Sequence, residues 1–125
     1  MLGAIRVVSV RFAKHELPSG VTVLAFKGSV HCGQECSQLE AEVNALIEEK
    51  HNRLIFDLSE VVTMDSAAIG TVVFCSKKLK NAGGGLRMAC PPALIARSLE
   101  QTKVNKIVPT FATVDQAAAS FAPPA

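Results

Sequence analysis

The chain has no excess of charge of either sign. Thirteen Lys and Arg against eleven Asp and Glu leave a formal charge of +2, spread along the sequence. A dedicated nucleic-acid binder carries a basic patch or stripe, and none is present. No apolar run reaches the ~20 residues needed to cross a bilayer. The opening MLGAIRVVSVRF is broken by Arg6 and Arg11, so it lacks the apolar core of a secretory signal. These features read as a cytosolic protein. Four cysteines in 125 residues are too few for a disulfide scaffold. They are read as reduced thiols, some of them packed. Internal repeats, low-complexity segments and interior linkers are absent as well.

What is present is an ordinary folding composition, 49% hydrophobic and 19% charged. The length suits one domain with a real core. That domain is expected over 1–121, with 122–125 as a tail in which Pro123 and Pro124 forbid a helix.

Residues 5–12 and 21–28 read as strands, because Val8, Val10 and Phe12, then Leu24 and Phe26, alternate with polar neighbours. The link HELPSG between them predicts an antiparallel hairpin. Leu39, Val43, Leu46 and Ile47 form one helical stripe, and Ser37 with Glu40 has capping-box spacing. RLIFDL, ending near Asp57, reads as a buried parallel strand. An apolar loop follows, with Val61, Val62 and Met64. A second helix is expected over about 67–82, with Ile69, Val72, Val73 and Leu79 inward and Lys77, Lys78 and Lys80 where the helix dipole favours cations. Gly83 to Gly85 end it and lead into a strand, Leu86 to Cys90. Pro91 and Pro92 mark a third helix with Leu94, Ile95 and Leu99 inward. Val104 to Val108 reads as a last strand. Thr113 with Gln116 caps a final helix whose core residues are Val114, Ala117, Ala118 and Phe121. The order β-β-α-β-α-β-α-β-α implies an α/β domain with a mixed sheet, an N-terminal antiparallel hairpin and four packed helices.

Catalytic motifs are missing. There is no GxSxG elbow, and His15, His31 and His51 lie in no recognisable triad pattern. Gly83–Gly85 is not a P-loop; three glycines after a helix supply a left-handed cap and a turn. His31, Cys32 and Cys36 have no second half at zinc-like spacing. Cys32 and Cys36 one turn apart at a helix start would be redox-sensitive, an alternative that nothing in the sequence demands. No catalytic residue, metal ligand or cofactor is therefore assigned.

The informative segment is LIFDLSEVVTMDSAAIG. A strand ends near Asp57, and Asp65 and Ser66 open the next helix. Capping alone explains such residues. Two features go further. Binding sites collect outside the carboxyl ends of parallel strands, and the small residues Ala67, Ala68 and Gly70 leave Ser66 uncovered. A helix N-terminus also tolerates a phosphate.

Leu54-Ile55-Phe56-Asp57-Leu58-Ser59 followed by Met64-Asp65-Ser66-Ala67-Ala68-Ile69-Gly70 resembles the signature of STAS domains. It resembles in particular the single-domain anti-sigma factor antagonists of bacteria, over nearly the whole chain. The resemblance implies a STAS-like fold and a non-enzymatic protein that binds an anti-sigma factor with serine kinase activity. It implies that Ser66 is the phosphorylated residue and that a phosphoserine phosphatase restores it. Direct nucleic-acid contact and membrane insertion are not expected. The implied docking residues are Met64, Asp65, Ser66, Ala67, Ile69 and Gly70, joined by Ser29, Val30 and His31. Asp57 and Gly28 are the implied structural positions. The family often has Gly-acidic-apolar-Asp at the end of the second strand. Here Gly28-Ser29-Val30-His31 keeps the glycine and the apolar residue and loses both acids, which points to divergence in partner recognition. Two other functions remain open: a STAS binding module of another signalling assembly or a lipid-transport complex, without phosphorylation, and a small serine hydrolase using Ser66 with His31.

Overall fold

A computed structural model describes residues 6–7, 12–30 and 34–121. Its strands form one sheet in the order β1-β2-β3-β4-β5-β6. They are β1 (Arg6–Val7), β2 (Phe12–Glu16), β3 (Thr22–Val30), β4 (Arg53–Met64), β5 (Gly85–Ala89) and β6 (Thr110–Phe111). The helices are α1 (Gln34–Glu48), α2 (Ser66–Asn81), α3 (Ala93–Gln101) and α4 (Val114–Ala119), with a 3-10 turn at Val104–Lys106. β1, β2 and β3 pair antiparallel, and β3 through β6 pair parallel. The expected mixed α/β sheet with its antiparallel hairpin and four helices is therefore present.

Strand alternation divides the apolar residues between two layers. Leu24, Phe26, Leu54, Phe56, Leu86 and Met88 face the main core beneath α1, α2 and α3. Val21, Val23, Ile55 and Ala89 face a smaller core under α4, closed by Ala117 and Phe121. Phe12, Phe26 and Phe56 form a cross-strand aromatic ladder in the main core, with centroids 5.3 and 5.0 Å apart. Tilted and edge-to-face pairs of this kind add about 0.5–1.5 kcal/mol each beyond area burial.

Several elements differ from the sequence-based expectation, each for a local reason. The hairpin is made by β2 and β3 with Phe12 opposite Phe26, so His15 and Glu16 are strand rather than link; Val8 and Val10 lie outside the described residues. α1 starts at Gln34, which puts Ser37 on its exposed surface rather than at its cap. β4 continues past Asp57 to Met64 because β3 extends to Val30 and pairs with it. Two bulges disguise that extension. β4 advances from Asp57 to Glu60 while β3 advances from Ala25 to Lys27, and again from Val61 to Thr63 against Gly28 to Ser29. Each bulge adds a residue to β4 and breaks the period of two. Leu58 and Val61, three apart, consequently both enter the main core.

Val104 and Val108 are buried through the 3-10 turn, where Val108 N–H donates to Val104 O at 2.8 Å, rather than through a strand. The last strand lies beyond Pro109. Leu94 is 63% exposed and does not join Ile95 and Leu99 inside. Cys75 and Cys90 are free thiols, but Cys36 is in a disulfide, against the expectation of reduced thiols throughout. Thr113 does cap α4, accepting the Gln116 N–H at 3.0 Å.

The three glycines after α2 act separately. Gly83, at φ +88°, donates to Lys80 O, and Gly84 donates to Leu79 O. That pair is a Schellman cap. A Cβ on Gly84 would lie 1.9 Å from Asn52 O, backbone that also receives the Gly85 N–H at 3.0 Å. Gly84→Ala is therefore expected to destabilise the fold by about 1–3 kcal/mol, the range for a forced backbone shift, as read from urea denaturation. Burial pushes the Cys75 thiol up to about 12. Only the thiolate alkylates, so iodoacetamide at pH 8 should spare Cys75 in the native protein and label it in urea.

Candidate functional site

The site is built where β4 ends. Gly28, at φ +78°, lies at the second bulge, and its conformation is one that glycine adopts without strain. Asp57 anchors the first bulge by accepting the Ser59 N–H on Oδ1 at 3.0 Å. Val30 then pairs with Met64, and Asp65 N–H donates to Val30 O at 3.2 Å. That bond carries strand pairing to the residue before α2 and fixes where the helix begins.

Asp65 is the N-cap of α2. Its backbone is extended, at φ −82° and ψ 170°, and Oδ1 accepts the Ala68 N–H at 2.7 Å. Ser66 is therefore the first helical residue, not the cap. Its side chain is exposed, and its hydroxyl makes no hydrogen bond among the described residues. This overturns the reading of Ser66 as a capping serine, and the cause is a shift of one residue: Asp65 already satisfies the helix end.

Ala67 and Gly70 share the exposed face with Ser66, and nothing lies within 4 Å of a Cβ built on Gly70. Ala68 and Ile69 turn inward and are buried at 2% and 7% exposure. Ile69 and Val30 thus lie beneath the face rather than on it, a correction to their expected place among surface contacts. Met64 and Ser29 are half-buried at its edge. His31 lies outside the described residues. Under the face, Met64, Ala68, Cys36 and Leu39 line an apolar cavity of about 10 Å³, room for roughly one water-sized sphere.

The exposed face extends further than the sequence indicated. Phe74, four residues beyond Gly70, is 48% exposed, with the Lys78 ammonium 5.3 Å from its ring centroid. The signal was its position: Phe74 falls off the stripe of Ile69, Val72 and Leu79 and therefore on the outer side of the helix.

A hydrolase would need a base beside Ser66. His51 pairs with Glu16 at 3.5 Å, before the start of β4. Ser66 follows its far end. Twelve strand residues span about 40 Å at ~3.3 Å each, so His51 cannot reach it. His15, opposite Val23, also lies toward the starting end of β4, where Val23 pairs with Ile55. Among the described residues no group of His, Cys, Asp and Glu could hold a metal. No helix of the described residues is long and apolar enough to cross a membrane.

A family model of the STAS domain matches residues 13–117. The chain belongs to the STAS domain family. Among curated proteins, a Thermotoga maritima protein provisionally named an anti-sigma factor antagonist is 27% identical over 71 residues, 57% of this chain and 63% of that protein. The aligned region thus spans less than two thirds of that relative. The crystal structure of a Thermotoga maritima protein described in the same provisional terms superposes with a TM-score of 0.79 at 21% identity, covering 88% of this chain and 93% of that one. An anti-sigma factor antagonist from Mycobacterium paratuberculosis gives 0.77 at 22% identity, over 96% and 98% of the two chains. The Bacillus antagonist SpoIIAA gives 0.67 in its unphosphorylated form, at 19% identity over 87% and 96%, and 0.68 in its phosphorylated form, at 16% over 87% and 97%. At these identities the structural likeness establishes the fold.

Capping and exposure separate the two neighbouring residues experimentally. Asp65→Ala should lower stability by about 1 kcal/mol, the usual worth of an N-cap. Ser66→Ala should stay within about 0.5 kcal/mol, as for an exposed substitution. Urea denaturation of the two variants and the parent reads both.

Proposed function

We propose that this protein is an anti-sigma factor antagonist whose partner is an anti-sigma factor with serine kinase activity, and that phosphorylation of Ser66 switches it off. A phosphoserine phosphatase then restores it. The observation that carries the reading is the Ser66 hydroxyl: exposed, free of hydrogen bonds among the described residues, and relieved of capping by Asp65. The relatives named as antagonists support it. In this reading the protein is a binding protein rather than an enzyme and works in the cytosol, beside the transcription machinery.

Met64, Asp65, Ser66, Ala67 and Gly70 form the docking face, with Ser29 at its side and Ile69 and Val30 supporting it from below; His31 keeps its proposed part in partner recognition on the sequence alone. Asp57 and Gly28 act structurally, through the bulges that aim β4. Phosphorylation adds a charge of about −1.5 to −2. At the start of a 16-residue helix the dipole favours an anion by ~0.3–1 kcal/mol, while Asp65 repels it. The two effects oppose each other, so fold stability changes little. SpoIIAA shares this fold in both its phosphorylated and its unphosphorylated form, with TM-scores of 0.68 and 0.67 to this chain, in keeping with that expectation. In a docked interface the dianion has to shed water against the partner, and a cost of only 1.4 kcal/mol weakens binding tenfold. The switch therefore acts on the interface and not on the fold.

The test uses a purified anti-sigma factor kinase from the source organism. Incubation with ATP should place a single phosphate on Ser66, read by site-mapped mass spectrometry, and none on Ser66→Ala. Ser66→Asp should bind that kinase at least tenfold more weakly by calorimetry, with an unchanged unfolding midpoint. Phosphate at another residue, or undiminished binding by Ser66→Asp, would refute the proposal.

A further inference from the structure

At the other end of β4 a second site is formed on the α4 side of the sheet. Arg53 opens the strand there, facing the Leu17–Val21 turn. Its Nη2 lies 3.8 Å from the point where a Cβ on Gly20 would be. Arg53 is half-buried, yet it makes no ion pair and no hydrogen bond among the described residues.

Its neighbour on the same face shows the contrast. Arg87 is occupied: its Nε donates to Ser120 Oγ at 2.8 Å, and its guanidinium lies 4.1 Å from the centroid of the Phe121 ring. Arg53 instead lines a solvent-open cleft of about 410 Å³. Val21, Ala118, Ala119 and Phe121 make the apolar walls, and Ser19 adds a hydroxyl. Asp115 also borders the cleft but forms no salt bridge with Arg53. Apolar walls with few convergent polar groups, in a volume of several hundred Å³, are the usual make-up of a small-molecule site.

We propose that this cleft binds a small amphipathic organic anion, whose anionic oxygens pair with the Arg53 guanidinium while its apolar body lies along Ala118, Ala119 and Phe121. A planar guanidinium matches carboxylate and phosphate oxygens in a two-point contact, so either headgroup satisfies the chemistry. Asp115 at the border disfavours a dianion and turns the preference toward a single negative charge. The site is independent of the docking proposal. The length of β4 separates it from Ser66, so ligand and protein partner can be bound together.

The test titrates the full-length 15N-labelled protein with benzoate, inorganic phosphate and benzyl alcohol at constant ionic strength, to about 10 mM, a range that captures weak sites. Benzoate should shift the amides of Ser19 to Val21, Arg53 and Ala118 to Phe121 saturably. Benzyl alcohol should bind at least tenfold more weakly. Arg53→Gln should weaken benzoate at least tenfold, and Ala119→Leu, which fills the cleft and leaves the charge, should do the same. Both variants are first confirmed folded by their amide spectra. Saturable phosphate shifts at the same amides, lost in Arg53→Gln, would support the anion site with phosphate as its headgroup. Equal binding of benzyl alcohol and benzoate, unchanged affinity in both variants, or no saturation by either anion overturns the proposal.

Discussion

The parallel pairing of β3 with β4 is the contact on which the molecule is organised. Val23, Leu24, Ile55 and Phe56 are all fully buried, so this pair is covered on both faces. Every other strand is attached outward from it: β2 and β1 on one side, β5 and β6 on the other. A one-residue slip of this register would exchange the two cores. The main core takes Leu24 and Phe56 against three helices, and the smaller takes Val23 and Ile55 against α4. The two sets are not interchangeable in size, which holds the register. The same pairing, continued through two bulges, sets the position of Asp65.

That placement separates two tasks that a single serine could have combined. A capping serine spends its oxygen on a backbone N–H and holds one rotamer. A modified serine needs an accessible hydroxyl whose alteration does not unravel the helix. Here the cap belongs to Asp65, fixed through Val30, and the hydroxyl belongs to Ser66. A charge added to Ser66 removes no bond from the fold. The carboxylate that makes this possible also stands beside the proposed phosphate, so repulsion limits how far the helix dipole can stabilise it. The proposed switch therefore changes what a partner meets and leaves the scaffold beneath it in place.

The helices were legible because their apolar residues recur at three and four, and the strands because RLIFDL and VTVLAF are short and apolar. What escaped was controlled by non-local pairing. Val61, Val62 and Met64 look like a loop until β3 is present to reveal two extra residues in β4. Val104 and Val108 have strand-like composition, but their spacing of four suits a turn, and Pro109 delays β6. Leu94, one residue before Ile95 and five before Leu99, falls off their stripe on α3 and is exposed. At the site, the Asp65-Ser66 pair was visible as a helix start. Which of the two capped it was not, because that depends on the Val30 bond. The isolated role of Arg53 was hidden altogether, since the cleft joins residues from a turn, a strand start and the last helix.

Gly70 gives the proposed docking face a physical argument of its own. In a helix interior glycine costs about 0.8–1 kcal/mol relative to alanine. Close packing within the chain often accounts for such a glycine, but nothing here lies within 4 Å of a Cβ at this position. The backbone is not responsible either, because Gly70 sits inside α2 and its φ is not positive. The proposed docking supplies a reason for it. Without a Cβ, a partner surface can approach the α2 backbone between Ser66 and Phe74. The two mark the ends of the strip, eight residues or about 12 Å apart along the helix at 1.5 Å per residue. In the proposed complex the serine end is modified while Phe74, held by Lys78, remains apolar. Phosphorylation then removes one end of the contact and leaves the other intact, so binding weakens in a graded way and dephosphorylation restores it without refolding.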